Sequence, residues 1–307
     1  MVTSPVSHVA PDHHPAHHDH GSGTCLNCGT PVERRFCPDC GQRTDAHLVN
    51  WHFIWHEIPH SVWHVHRGIA FTLKELITRP GHTIREFLEG KRVNHYRPLA
   101  LLIMLGAVLV VISKVLGVNL TRMGMEAGQT MYGQQNPSSP AQANTALKHF
   151  TDGLGTFIEE KQAYLVILMI PFMAFGNWLL FRRRGYNYPQ FIVAQTFITN
   201  FNSISSIFVL VLFLVLGVSA ETFQTVLSLS ILLTIVYNVI TYYQFFKGKI
   251  SLLSVTIRSI VGFTVGYVSF MVVAGTIAAL IGFTVAMYEN KTAPKTNITQ
   301  PVQQPHP

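Results

Sequence analysis

Charged side chains are scarce in this chain of 307 residues. Asp, Glu, Lys and Arg together make up 12% of it, against about 25% in a typical soluble protein. The shortage lies in long apolar runs without any charge, the longest of which covers residues 186–220. A run of about 20 apolar residues can cross the hydrocarbon of a bilayer. The composition therefore excludes a wholly soluble protein and predicts a polytopic membrane protein.

The first twenty residues lack an apolar segment of the kind that a secretory signal needs. We therefore expect the N-terminus to stay in the cytoplasm. Residues 1–23 are rich in Pro, Gly and His and offer little to bury, which predicts a disordered His-rich tail. Residues 289–307, rich in Pro and Gln, are expected to form a second disordered tail.

Five apolar segments predict transmembrane helices within residues 98–288. They cover residues 99–118, 163–181, 190–218, 222–246 and 259–288. With the N-terminus inside, the cytoplasmic loops are 182–189 and 247–258, each with three basic residues and no acid. The outer loop 119–162, which is polar up to residue 160, has three basic and four acidic residues. This asymmetry follows the positive-inside rule and predicts a C-terminus outside.

The net charge of +7 suits either nucleic acid or an anionic lipid surface. Many basic residues flank apolar segments, so the lipid bilayer is the expected partner and nucleic acid is not. In the fifth segment, Gly262 and Gly266 form a G-x-x-x-G pattern. That pattern is typical of close helix packing, within the chain or in a homodimer.

The third segment begins with many amides and hydroxyls, among them Gln195 and Asn200. Such side chains form hydrogen bonds between helices or line a polar cavity. We favour the first interpretation, because no charged residue lies deep in the second to fifth segments.

The chain has only four cysteines, and all of them lie in residues 24–42. Cys25, Cys28, Cys37 and Cys40 follow the pattern C-x2-C-x8-C-x2-C, and each pair runs directly into a glycine. This spacing predicts a zinc ribbon, in which four thiolates close a structural metal site. Disulfides would need an oxidising compartment, and a redox motif needs one pair in a thioredoxin-like context. The unit is too small for a hydrophobic core, so the metal would supply its folding energy.

A second motif, HEIPH, has the H-E-x-x-H form of zinc proteases. His56 and His60 could bind one metal, with Glu57 as general base. Pro59, however, lies inside the motif and would distort the helical turn that the motif needs. Two other interpretations are a non-catalytic metal site of His56, His60 and His64 and, as we prefer, an amphipathic helix at the membrane surface.

Residues 43–97 are expected to form cytoplasmic amphipathic helices at the membrane interface. Pro80 and Gly81 should break a first helix, and Thr83 with Glu86 has the spacing of a capping box for a second. We expect a basic rim on these helices to face anionic lipid headgroups. That rim consists of Arg85, Lys91, Arg92 and Arg97.

The cysteine pattern, followed by "LKELITRPG", "IREFLEGKR" and apolar spans, resembles the bacterial membrane-protein family catalogued as domain of unknown function 3667. The motifs that carry the resemblance cover residues 25–98. The resemblance implies an N-terminal zinc ribbon, several membrane helices and a place in the bacterial inner membrane. It implies no activity and no catalytic residue.

These features predict an all-α integral membrane protein with about five transmembrane helices, a small N-terminal zinc ribbon and juxtamembrane amphipathic helices. The favoured function is non-enzymatic: a zinc-ribbon scaffold that recruits a protein partner still to be identified. One alternative is a membrane metallohydrolase that uses His56, Glu57 and His60. Another is a transporter of a small solute or metal, fed by the His-rich tail.

Overall fold

The computed structural model describes residues 23–44, 49–51, 53–54, 68–117, 145–216, 220–246 and 249–292. Within these residues, strand β1 (Gly23–Thr24) pairs antiparallel with β2 (Pro31–Val32), and seven α-helices follow. The helices are α1 (Ile69–Thr78), α2 (Pro80–Leu88), α3 (Pro98–Leu116), α4 (Thr145–Phe181), α5 (Tyr188–Leu216), α6 (Ala220–Phe245) and α7 (Leu252–Thr292). A 3-10 turn at Arg182–Arg184 joins α4 to α5.

Five of the described helices are long and apolar enough to cross a bilayer. The crossing stretches are Pro98–Leu116, Glu160–Arg184, Tyr188–Phe213, Phe223–Phe245 and Leu252–Thr284. Each overlaps one of the segments expected from the sequence, and the predicted all-α membrane fold is confirmed. Large apolar side chains such as Val215 and Leu253 remain exposed on these helices, as suits a lipid environment.

Two helices extend beyond their apolar cores. Helix α4 begins at Thr145, so the last part of the polar loop 119–160 is helical. Helix α7 begins at Leu252, and the Ser251 hydroxyl oxygen accepts a 3.4 Å hydrogen bond from the Ser254 backbone N–H at its start. Hydropathy marks the part of a helix that crosses lipid, whereas a helix continues through polar residues because its backbone hydrogen bonds are internal.

Glycines let α4 and α7 approach each other backbone to backbone. A Cβ atom at Gly176 of α4 would collide with the backbone of Gly262 and Gly266 in α7. A Cβ atom at Gly266 would in turn lie 2.7 Å from the Cα atom of Met173. The G-x-x-x-G pattern therefore mediates packing between two helices of the same chain. Small residues commonly allow such close packing between membrane helices.

The α1–α2 hairpin packs against the ends of the spanning helices. Leu76, Ile84 and Phe87 are almost completely buried, in one cluster with Phe197 of α5 and Phe245 of α6. Part of the apolar face of this hairpin thus packs on protein, whereas Ile77 remains exposed.

Arg85 caps the end of α6, and its place in the basic rim was wrongly predicted. The side chain is 7% exposed. Its Nη1 donates to the carbonyl oxygens of Gln244, at 2.8 Å, and Phe245, at 3.1 Å. The last carbonyls of a helix lack intrahelical partners and carry the negative end of its dipole. The guanidinium satisfies both needs, which explains why a charge is stable in this buried position.

The expected capping box of Thr83 and Glu86 was also wrong. Helix α2 begins earlier, with Pro80 at its first turn, where the fixed φ angle of proline suits a helix start. Thr83 therefore lies inside the helix, and its hydroxyl donates to the Arg79 carbonyl oxygen at 3.1 Å.

Gly81 allows α2 to lie directly on the backbone of α6. Its N–H donates to Oε1 of Gln244 at 3.1 Å, and a Cβ atom here would collide with the Thr241 carbonyl oxygen and the Phe245 nitrogen. We predict that Gly81→Ala lowers the free energy of unfolding by about 1–3 kcal/mol through overpacking. Thermal unfolding in detergent measures this.

The matched control is Gly106→Ala in α3, because nothing lies within 4 Å of a Cβ atom at that position. If both substitutions leave the unfolding temperature unchanged, the close contact between α2 and α6 does not exist.

Candidate metal centre

The four cysteine sulfurs lie close enough together to share one metal ion. All of them are within 4.8 Å of one another, with 3.5 Å between Cys25 and Cys40 and 3.4 Å between Cys28 and Cys37. A tetrahedral site with bonds of about 2.3 Å has sulfur–sulfur edges of about 3.8 Å. A disulfide bond is much shorter, about 2.05 Å. The donor set and its spacing therefore fit a four-thiolate metal site.

Two similar turns bring the cysteine pairs together. Gly29 N–H donates to the Cys25 carbonyl oxygen at 2.8 Å, and Gly41 N–H donates to the Cys37 carbonyl oxygen at 3.0 Å. The φ angles of these glycines are 80° and 73°, in the left-handed region where a side chain is strained. The glycine after each C-x2-C pair is thus needed to turn the backbone around the site.

The thiols differ in how readily they lose a proton. Side-chain and backbone hydrogen bonds with Thr30 lower the pKa of Cys28 to about 6, whereas burial raises the pKa of Cys40 to about 11. A metal binds thiolates, so its binding at this site would release protons and weaken in acid.

The cysteine module is fastened to the turn that follows α2. The Gln42 side chain, 5% exposed, donates from Nε2 to the Gly90 carbonyl oxygen at 2.8 Å. Its Oε1 accepts the Arg92 backbone N–H at 3.1 Å. Leu26 closes over the same turn, since a Cβ atom at Gly90 would lie 2.7 Å from its Cδ1. Both ends of one buried amide therefore set the position of the module.

Arg92 continues this connection toward the membrane helices. Its guanidinium carbon lies 4.5 Å from the ring centroid of Phe53 and 5.1 Å from that of Phe87, within the range of cation–π attraction. Phe87 packs edge-on against Phe197 of α5, with centroids 5.3 Å apart. An unbroken series of contacts thus joins the cysteine module to a spanning helix.

Sequence reasoning did not identify Gln42 and Gly90 as partners. Gly90 appeared in the sequence only within the motif "IREFLEGKR", and Gln42 only as the last residue of the cysteine segment 24–42. Local signals reveal turns, but the partner of Gln42 is 48 residues away in the chain.

The candidate residues of the HEIPH stretch, His56, Glu57, His60 and His64, lie outside the described residues. Within the described part of the chain, the four cysteines are the one group of His, Cys, Asp or Glu residues placed to hold a metal. The Nε2 of the buried His95 lies 3.4 Å from Oε2 of Glu86, and burial lowers the pKa of His95.

Polar residues of α5 form the contacts between helices that we favoured. Asn200 is fully buried, and its Nδ2 donates to the Pro98 carbonyl oxygen at the start of α3, at 2.9 Å. Asn202 accepts a 3.3 Å hydrogen bond from the Thr234 hydroxyl of α6. Thr199 differs from these two residues, because its hydroxyl donates to the Gln195 carbonyl oxygen within α5 itself.

We predict that Gln42→Ala detaches the cysteine module without emptying its metal site. The substitution removes the acceptor of the Arg92 N–H, so hydrogen exchange at Arg92 should accelerate while the metal content stays the same. Exchange detected by mass spectrometry measures the first quantity, and elemental analysis measures the second.

Glu33→Ala is the control, because Glu33 is an exposed side chain of the same module. Unchanged exchange at Arg92 in the Gln42→Ala protein would contradict the clamp.

Comparison with known proteins places one segment of the chain in a family. The chain matches no curated protein and no solved structure. Residues 67–110 match the family model described as "Protein of unknown function (DUF3667)". That range contains α1, α2 and the first part of α3 and begins after the cysteine module. The match confirms, over residues 67–110, the resemblance to this family that the sequence motifs carry.

Proposed function

We propose that Cys25, Cys28, Cys37 and Cys40 bind one structural zinc ion, and that the zinc ribbon is a non-enzymatic module of a membrane scaffold. The observation that carries the proposal is the closed group of four sulfurs fastened by Gln42 to the α1–α2 hairpin. Four protein ligands leave no open position for a substrate or a reactive water, which distinguishes structural from catalytic zinc sites.

The ribbon lies at the basic end of the spanning helices. Arg85 binds the end of α6, and Phe246, just beyond it, stacks on Phe181 at the end of α4, with centroids 4.9 Å apart. The arginines 182–184 follow directly. We propose, from the positive-inside rule, that this end faces the cytoplasm, where thiols stay reduced and can bind zinc.

The exposed side of the ribbon has the composition of a protein-binding surface. Phe36 is 54% exposed, and Arg34 and Arg35 beside it are exposed as well. Aromatic and arginine side chains are enriched at the energetic centres of interfaces. A partner with an acidic surface around an apolar pocket fits this set of side chains.

The H-E-x-x-H pattern keeps the metallohydrolase as a second candidate. That function requires a second metal ion, held by His56 and His60. Counting the zinc ions in each chain therefore separates the two proposals.

We predict one zinc per chain in detergent-purified protein that lacks residues 1–22, whose histidines could bind metal nonspecifically. Cys25→Ser should remove that zinc, because three thiolates hold it far more weakly than four. Elemental analysis of matched protein samples gives the count.

His56→Ala and His60→Ala are the controls and should retain the one zinc. Protein without zinc would refute the structural site. Two zinc ions per chain, one of them lost in the histidine variants, would instead favour the metallohydrolase.

A further inference from the structure

A small basic cavity lies where the end of α4 meets the first turns of α7. Its volume is about 280 Å³, and its walls are Leu179, Leu180, Arg182, Arg183 and Arg258. Leu179 and Leu180 belong to the apolar span, whereas Arg182 and Arg183 belong to the turn that ends it. The cavity therefore combines two leucines of the span with three arginines at the edge of the spanning region.

One of these arginines is held in place by the helix end. Arg258 Nη1 donates to the Leu180 carbonyl oxygen at 3.1 Å, one of the last carbonyls of α4 and without a partner inside the helix. A guanidinium has five N–H donors, and this hydrogen bond uses one of them. The end of α4 contributes roughly half a negative charge, which is far less than the three positive charges around the cavity.

The positive charge of the cavity is not balanced by carboxylates in the described part of the chain. The ion pairs found there involve Arg79, Arg85, Lys91, His95 and Lys161. None of them involves Arg182, Arg183 or Arg258. Three cationic residues around one cavity, without a carboxylate ion pair among the described residues, favour an anionic ligand.

The geometry points to the phosphate of an anionic phospholipid, and we propose that this cavity is a binding site for such a lipid. Guanidinium groups bind phosphate through paired, charge-assisted hydrogen bonds. Leu179 and Leu180 provide the apolar surface that an adjoining acyl chain would cover. Basic pockets at the cytoplasmic ends of membrane helices are where lipid headgroups are found. A free phosphate would form hydrogen bonds with the arginines but would have no apolar group to pack against the leucines.

The test measures lipid binding to the full chain in zwitterionic detergent. Native mass spectrometry detects the bound lipid, and the two lipids compared are phosphatidylglycerol and phosphatidylcholine. One basic residue near an anionic lipid surface strengthens binding about fivefold. Arg183→Gln and Arg258→Gln should each weaken phosphatidylglycerol binding by about that factor. Phosphatidylcholine, with no net charge, should bind weakly to every variant.

Arg184→Gln is the matched control, because Arg184 lies in the same turn and loses the same charge but does not line the cavity. It should retain nearly all phosphatidylglycerol binding. Thermal unfolding without added lipid checks that each variant is folded. If Arg258→Gln is not folded, the result for Arg183→Gln alone tests the proposal. Arg183 is an exposed side chain, so its substitution should not disturb folding.

Equal losses in Arg183→Gln and Arg184→Gln would overturn the proposal, because they would indicate a diffuse effect of charge. Unchanged binding in Arg183→Gln would overturn it as well. Displacement of phosphatidylglycerol by millimolar inorganic phosphate would show that the ligand is a soluble phosphate. Resistance to phosphate, together with losses confined to the variants of the cavity, supports a lipid site.

Discussion

The buried guanidinium of Arg85 at the end of α6 is the contact on which the arrangement of the other parts depends. It donates to carbonyl oxygens that α6 itself cannot satisfy, and Gly81 brings the two backbones close enough for that contact. With α2 fixed in this way, the turn at Gly90 and Arg92 has a defined position. Gln42 then sets the cysteine module on that turn.

This order of dependence links the metal site to the membrane helices. The cysteine module has a core of three buried residues, Cys25, Val32 and Cys37, too few to fold a unit of this size by burial alone. A bound metal would therefore form the module, and the folded module presents Gln42 to the hairpin. Arg92 in turn contacts the ring of Phe87, and Phe87 packs against Phe197 of α5. The part of the chain that matches the family, residues 67–110, is the part that makes these connections.

Local sequence patterns predicted the features that depend on local physics. Uncharged runs of sufficient length revealed the spanning helices, and the spacing of the cysteine pairs revealed the sulfur cluster. Arg85 was misassigned because its partners lie about 160 residues further along the chain, and a basic residue next to a span normally faces headgroups. The predicted capping box failed because Pro80 starts α2 one turn earlier. These errors arise where contacts distant in sequence, or a competing local signal, decide the outcome.

The most direct test of the account is hydrogen exchange over residues 85–92, measured before and after a chelator removes the metal from the intact protein. If a metal-bound ribbon is clamped to the hairpin, exchange at Arg92 should accelerate when the metal leaves, because the Gln42 acceptor loses its position. Amides within α5 should keep their protection. Unchanged exchange at Arg92 after complete metal removal would contradict the proposed connection between the metal site and the membrane helices.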